Sequence, residues 1–142
     1  MNKFLSLFAG VLFAMGLSTA ALADSTPEAI DGAITVDAEG VIDLIMTTPD
    51  LVILDNRRQA DFDNGHIEGA VRLLDTDIAS ADDMAAHISS LEVPVLFYCN
   101  GLSCGRASNA VNKALEYGYT HVYYYALGMA EWRELGLPLM TN

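Results

Sequence analysis

Cys99 stands where an apolar run, Pro94-Val95-Leu96-Phe97-Tyr98, gives way to Asn100-Gly101-Leu102-Ser103-Cys104-Gly105-Arg106. The run reads as a buried strand, the glycine-containing stretch as a loop, and the residues from Ala107 onward as a helix. A thiol at that junction faces backbone N–H groups, the positive end of a helix dipole and a guanidinium, all of which favour thiolate over thiol. Such surroundings lower a cysteine pKa by about one to several units, enough to make a nucleophile at neutral pH. Cys99 is therefore the candidate nucleophile; the plainer alternative is an inert cysteine at a strand end. Gly101 and Gly105 let successive N–H groups turn inward, so that Asn100, Gly101, Leu102, Ser103, Cys104 and Gly105 can cradle an anion with Arg106 beside it.

The elements that must hold this loop are legible in order. Ala33-Ile34-Thr35-Val36 is a short strand. Asp37 is placed as an N-cap for a helix whose apolar stripe is Ala38, Val41, Ile42, Ile45 and Met46, stopped at Thr47-Thr48-Pro49-Asp50. Leu51-Val52-Ile53-Leu54 has the continuous apolarity of a strand covered on both faces. Asp61 to Gly69 is loop or short helix, and Val71-Arg72-Leu73-Leu74 a short strand. Ser80 with Asp83 resembles a capping box before Met84, Ala85, Ile88 and Leu91. Beyond the cysteine loop, Ala107, Ala110, Val111, Ala114 and Leu115 repeat a helical stripe that ends near Gly118. A strand over Val122 to Tyr125 and a helix over Gly128 to Leu135 complete the chain, and Gly136-Leu137-Pro138 terminates that helix.

Strands alternating with amphipathic helices argue for an α/β domain, with a mostly parallel sheet of about five strands and helices on both faces. In open parallel sheets, ligands bind beyond the carboxyl ends of the strands. Asp55-Asn56-Arg57-Arg58 and Cys99 both follow strands, so they should share one edge. Arg57 joins the candidate anion-binding residues on that ground.

Residues 1–23 carry Lys3, an apolar stretch and a small-residue ending, Ala21-Leu22-Ala23, which is the layout of a secretory signal peptide cleaved between Ala23 and Asp24. The alternative is an uncleaved membrane anchor. Residues 24–32 read as a loose lead-in, and 33–142 as one domain. Cleavage takes the net charge from −12 to −13 by removing Lys3. So acidic a surface argues against nucleic acid or an anionic membrane as partner, and it requires local positive charge if the substrate is an anion. The expected location is periplasmic or secreted, with no stable membrane association after cleavage. In that setting the two cysteines could also form a disulfide.

Taken together, Leu54-Asp55-Asn56-Arg57, Asp61-Phe62, Gly65-His66-Ile67-Glu68-Gly69-Ala70, Tyr98-Cys99 with Gly101 and Arg106, and Gly128 with Trp132 and Gly136-Leu137-Pro138 resemble a single rhodanese domain from about Ile34 to Leu139. The resemblance implies the rhodanese-like α/β fold and a sulfurtransferase, in which Cys99 takes sulfane sulfur from an anionic donor such as thiosulfate. It holds the sulfur as a persulfide in the Asn100 to Gly105 cradle and passes it to a thiol, a thiol-protein or cyanide. No cofactor is implied. The loop departs from the family pattern: Cys99 to Arg106 is Cys-x6-Arg, where rhodaneses commonly read Cys-x4-Arg and the related cell-cycle phosphatases Cys-x5-Arg. Leu127-Gly128 replaces the usual Gly-Gly pair, a change expected to touch packing more than chemistry.

Cys104 lies inside the loop, where it is a resolving thiol, a disulfide partner or a structural residue at the helix start. Two other functions therefore stay open: a thiol–disulfide protein using Cys99 with Cys104, and a non-catalytic binding module. A phosphatase or arsenate reductase ranks behind both because of the loop length. His66 reads as a hydrogen-bonded structural residue, since persulfide exchange needs no base once the thiolate exists. His87 and His121 have no ligand-like spacing, so no metal site is expected. Tyr123, Tyr124, Tyr125 and Trp132 read as packing, and Asp82-Asp83 as an acidic first turn.

Overall fold

The computed structural model describes residues 25–142. In chain order it comprises β1 (Ile34–Thr35), α1 (Ala38–Thr47), β2 (Val52–Asp55), α2 (Gln59–Asp63), β3 (Ala70–Arg72), a 3-10 turn (Asp75–Asp77), α3 (Ala81–Ala85), β4 (Val95–Tyr98), α4 (Arg106–Glu116), β5 (Val122–Tyr125) and α5 (Gly128–Glu134). The strands form one sheet in the order β1-β5-β4-β2-β3, and every pairing is parallel. The expected signal peptide, with its cleavage between Ala23 and Asp24, lies outside the described residues. No helix among the described residues is long and apolar enough to cross a membrane.

Side-chain alternation along the strands builds two cores. Leu54, Val95, Phe97, Val122 and Tyr124 face α4, Met84 and Ile88, and this layer also takes in Cys99. Ile53, Leu96, Tyr98 and Tyr125 face the opposite way, toward Ala38 and Val41 of α1 and Met129 and Trp132 of α5. A strand buried on both faces needs apolar residues at every position, which is why β4 is continuous Val-Leu-Phe-Tyr without a polar break. Its central place in the sheet sets Cys99 at the middle of the carboxyl edge.

The caps follow the sequence closely. Asp37 accepts a hydrogen bond from the Gly40 N–H at 2.9 Å and starts α1. The Asp83 carboxylate accepts from the Ser80 N–H at 2.8 Å and from the Ser80 hydroxyl at 3.0 Å. The stripe expected after Ser80 is only half realised: α3 ends at Ala85, Met84 and Ile88 are buried, and Leu91 is exposed. Residues 24–32, expected to be loose, are tied down where they are described. The Thr26 N–H and hydroxyl both donate to the Leu102 carbonyl, at 2.9 and 2.8 Å, and the Tyr124 hydroxyl donates to the Pro27 carbonyl at 3.0 Å.

Candidate active site

Because side chains alternate along a strand, Cys99 continues the face of Val95 and Phe97 and turns toward α4. It is 2% exposed, and its Sγ lies 4.0 Å from the Asn56 carbonyl oxygen. The backbone of β2 runs alongside, with the Asn56 N–H donating to the Tyr98 carbonyl at 2.9 Å. The Asn56 side chain donates to Leu73 O at 2.7 Å, which joins the ends of β2 and β3 beside the cysteine.

The loop after Cys99 is fixed from two sides. The N–H groups of Met129 and Ala130, in the first turn of α5, donate to the carbonyls of Cys99 at 3.0 Å and Asn100 at 2.9 Å. Gly128 makes that approach possible: its φ is 54°, and a Cβ there would collide with the Cys99 carbonyl. The substitution of Leu127 for the family's first glycine therefore leaves the sterically demanding position intact. Gly101, at φ 150°, packs against α5, where a Cβ would lie 3.3 Å from Ala130 Cβ. On the outer side, the Thr26 bonds to Leu102 hold the loop from the N-terminal segment.

Cys104 folds back over Cys99. A turn closes with the Cys104 N–H donating to Gly101 O at 3.0 Å, and the two cysteines are joined by a disulfide with Cα atoms 6.2 Å apart. The disulfide was one of the three roles open to Cys104. Arg106, the first residue of α4, places Nη1 3.5 Å from Cys104 Sγ. A polar cavity of about 390 Å³ opens here, lined by Asn100, Ser103, Cys104, Gly105, Arg106 and Asn109. It combines a helix N-terminus with one guanidinium, a setting that attracts anions. A larger cleft of about 440 Å³ involves Glu28, Val36, Asp37 and Leu127. Its charged lining residues are both acidic, so it offers an anion nothing.

Five of the expected cradle residues, Asn100, Ser103, Cys104, Gly105 and Arg106, thus line one cavity. Gly101 and Leu102 instead face the packing of α5 and the N-terminal segment. Arg57 is corrected outright. Its guanidinium is 1% exposed and is held by Asp55, with Nη2 2.6 Å from Oδ2 and Nε 2.9 Å from Oδ1. Nη2 also donates to Gly65 O at 2.8 Å, and the group lies over the Tyr98 ring. The physical reason is strand parity. Asp55 is on the Tyr98 side of the sheet and Cys99 on the other, so an arginine two residues after Asp55 is captured on the wrong face for the thiol. Burial by itself lowers the Arg57 pKa, but the hydrogen bond and charge of Asp55 outweigh it and raise the value. Burial, reinforced by Asp55, drives the Tyr98 hydroxyl far above its ordinary range, so it stays protonated and donates to Asp55 Oδ2 at 2.5 Å.

Asn109, not among the residues expected from sequence, lies three residues beyond Arg106 on the same helical face. Its Nδ2 donates to Asp75 Oδ2 at 2.9 Å, and Lys113 Nζ donates to the carbonyls of Asp75 and Ile78 at 2.7 and 2.6 Å. These bonds tie α4 to the 3-10 turn through Asn109 and Lys113, four residues apart on one helical face, and that spacing is the available signal. His66 stacks on Phe62 with ring centroids 3.8 Å apart and places Nδ1 2.9 Å from Phe62 O, away from the cavity. Among the described residues, no group of His, Cys, Asp and Glu is placed to hold a metal ion.

Fold and site define a parallel α/β domain with a cysteine at the carboxyl end of its central strand and a loop folded over it. The chain belongs to the rhodanese-like domain family, whose model matches residues 37–135. It is 28% identical over 119 residues to the uncharacterized protein YibN of Escherichia coli K12, covering 83% of this chain and 80% of that one. Among solved structures it resembles the rhodanese-like domain of the Anabaena Alr3790 protein, with a TM-score of 0.63, 27% identity, and 76% and 79% of the two chains covered. The polysulfide-sulfur transferase of Wolinella succinogenes has the same fold, with a TM-score of 0.63, 22% identity, and 78% and 80% covered. So does the human single-domain sulfurtransferase TSTD1, with a TM-score of 0.56, 24% identity, and 72% and 96% covered.

Proposed function

We propose that this protein is an exported sulfurtransferase in which Cys99 carries sulfane sulfur as a persulfide. The observation that carries the reading is the seat of Cys99: a buried sulfur at the end of the central strand, beneath a loop whose cavity is lined by Arg106 and the start of α4. Family membership and the sulfurtransferases that share the fold point the same way. In the disulfide form Cys99 has no thiolate to offer, so reduction precedes the first transfer. The Cys99 thiolate then attacks the outer sulfur of a donor such as thiosulfate. A new S–S bond forms, the old one breaks, and sulfite leaves with the electron pair. Arg106 and the N-terminal N–H groups of α4 stabilise the anionic donor and the persulfide. A thiol or cyanide acceptor takes the outer sulfur and regenerates the Cys99 thiolate.

Reduced, desalted protein incubated with thiosulfate is expected to release one sulfite per chain, and in Cys104→Ser the added sulfur is expected to remain on the Cys99 peptide. Cys99→Ser is expected to lose thiosulfate:cyanide sulfurtransfer entirely, and undiminished turnover in that variant would refute the mechanism. The disulfide favours a second reading, a thiol–disulfide protein that handles no sulfane sulfur. In that case Cys104→Ser would match Cys99→Ser in every assay and thiosulfate would release no sulfite. A binding module without catalysis would likewise release none.

A further inference from the structure

Persulfide chemistry at Cys99 leaves the second sulfur of the loop without a role, yet the loop is built to bring that sulfur in. The turn from Gly101 to Cys104 sets Sγ of Cys104 within bonding reach of Sγ of Cys99. The cavity opens on Cys104 and Arg106, whereas Cys99 lies behind them and does not line it. The Arg106 guanidinium, 3.5 Å from Cys104 Sγ, favours the thiolate of that residue when the bond is open. Thiol exchange requires an attacking thiolate, an accessible sulfur and a good leaving group. Cys104 supplies the first within the molecule, and its reach is to the inner sulfur of a Cys99 persulfide.

We propose that Cys104 is a resolving cysteine and that the protein is a sulfane-sulfur reductase, releasing hydrogen sulfide at the expense of an external dithiol. The inference rests on Cys99 carrying the persulfide. After sulfite has left, Cys104 Sγ attacks Cys99 Sγ. The Cys99–Cys104 bond forms, and the bond from Cys99 to the outer sulfur breaks. Cys104 gives its proton to the outer sulfur as it becomes the attacking thiolate, and that sulfur departs as hydrosulfide with the electron pair. The sulfane sulfur has gained two electrons, and the two cysteines have lost them. A dithiol reductant then attacks Cys104, the cysteine of the pair that lines the cavity. Cys99 leaves as a thiolate into its loop, and the dithiol is released as its own disulfide once its second thiol closes the mixed bond. The net reaction converts thiosulfate and a dithiol into sulfite, sulfide and a disulfide. Attack on the outer sulfur would instead only move the persulfide to Cys104, but the disulfide contact already aims Cys104 at the inner one.

The test is a single turnover under anaerobic conditions, with fully reduced protein freed of reductant and then given thiosulfate. Sulfite, sulfide and the mass of the protein are followed. Wild type is expected to release sulfite and sulfide in equal amounts and to end as the Cys99–Cys104 disulfide. Cys104→Ser is expected to release sulfite, to lose the sulfide signal, and to keep one sulfur on Cys99. Wild-type protein that releases sulfite, retains the sulfur and yields no sulfide would overturn the resolving step while leaving sulfurtransfer standing. Failure to release sulfite would overturn both. The wild-type stoichiometry decides the matter even if the variant does not fold.

Discussion

Arg57 and Arg106 both lie beyond the carboxyl ends of strands, and the face on which each falls gives them opposite fates. Arg106 opens α4 on the Cys99 side and reaches the cavity. Arg57 lies on the Tyr98 side and completes a buried triad with Asp55 and the Tyr98 hydroxyl. Taking charges out of water is costly, so such a pair is not by itself a source of stability; removing one partner, however, strands the other. Asp55→Asn is therefore expected to destabilise the fold by about 3–5 kcal/mol, read as a lower urea midpoint. An unchanged midpoint would show that Arg57 finds another counter-charge. The triad also joins Gly65, two residues after Asp63 in the α2 region, to the ends of β2 and β4. Its job is to hold the strand end from which the Cys99 loop departs. The Asp55-x-Arg57 spacing contained this pairing, but reading it needed the facing of β2 against β4, which the sequence supplies only once the strand register is known.

At the scale of elements, periodicity and caps carried the most information. The strand at Val122–Tyr125 and the starts of α1, α4 and α5 fall within a residue of where apolar stripes and turn residues put them. These are positions where local chemistry and tertiary packing agree. Legibility failed where an element is held by distant partners. The N-terminal segment contains Ser25, Pro27 and Gly32, which read as loose; its order comes from a carbonyl and a hydroxyl supplied by Leu102 and Tyr124. The disulfide was likewise one of several roles open to Cys104, because a spacing of five residues permits a bond without requiring it. The capping box at α3 was legible and has a measurable consequence. Hydrogen bonds from the Ser80 N–H, the Ser80 hydroxyl and the Ala79 N–H hold the Asp83 carboxyl below its ordinary value of 3.8. A carboxyl depressed in the folded state contributes stability that is fully present above the unfolded value and is lost as pH falls through the folded one. Thermal midpoints measured as pH drops below 3.8 are thus expected to fall more steeply in wild type than in Asp83→Asn, and parallel profiles would contradict the cap. The Asp63 carboxyl, lowered by Asn142 and then Gln59, adds the same sign of dependence to both proteins.

For the whole molecule, the proposed thiosulfate donor raises the question of how a chain with net charge −12 would admit an anion. Arg57 and Arg106 are the arginines placed by sequence to attract an anion, but the structure commits Arg57 to Asp55, and Lys113 Nζ is bonded to the carbonyls of Asp75 and Ile78. Arg106 and the start of α4 are left as the positive features at the cavity mouth. These act at contact distance, where salt screens weakly, whereas the repulsion from the acidic surface acts over many ångströms. Its range shrinks to about 8 Å at physiological ionic strength. Screening should therefore remove more repulsion than attraction. For reduced protein reacting with thiosulfate, the second-order rate of sulfite release is expected to rise as an inert salt is raised from low concentration toward about 0.15 M. The same rate measured with a neutral sulfane donor should stay flat. Arg106→Gln should lower the thiosulfate rate at every salt concentration while keeping the upward slope, because it removes the contact attraction and leaves the distant repulsion in place. A rate that falls with salt in the wild type would mean that a positive field reaches beyond the cavity, and that Arg106 is not what draws the donor in.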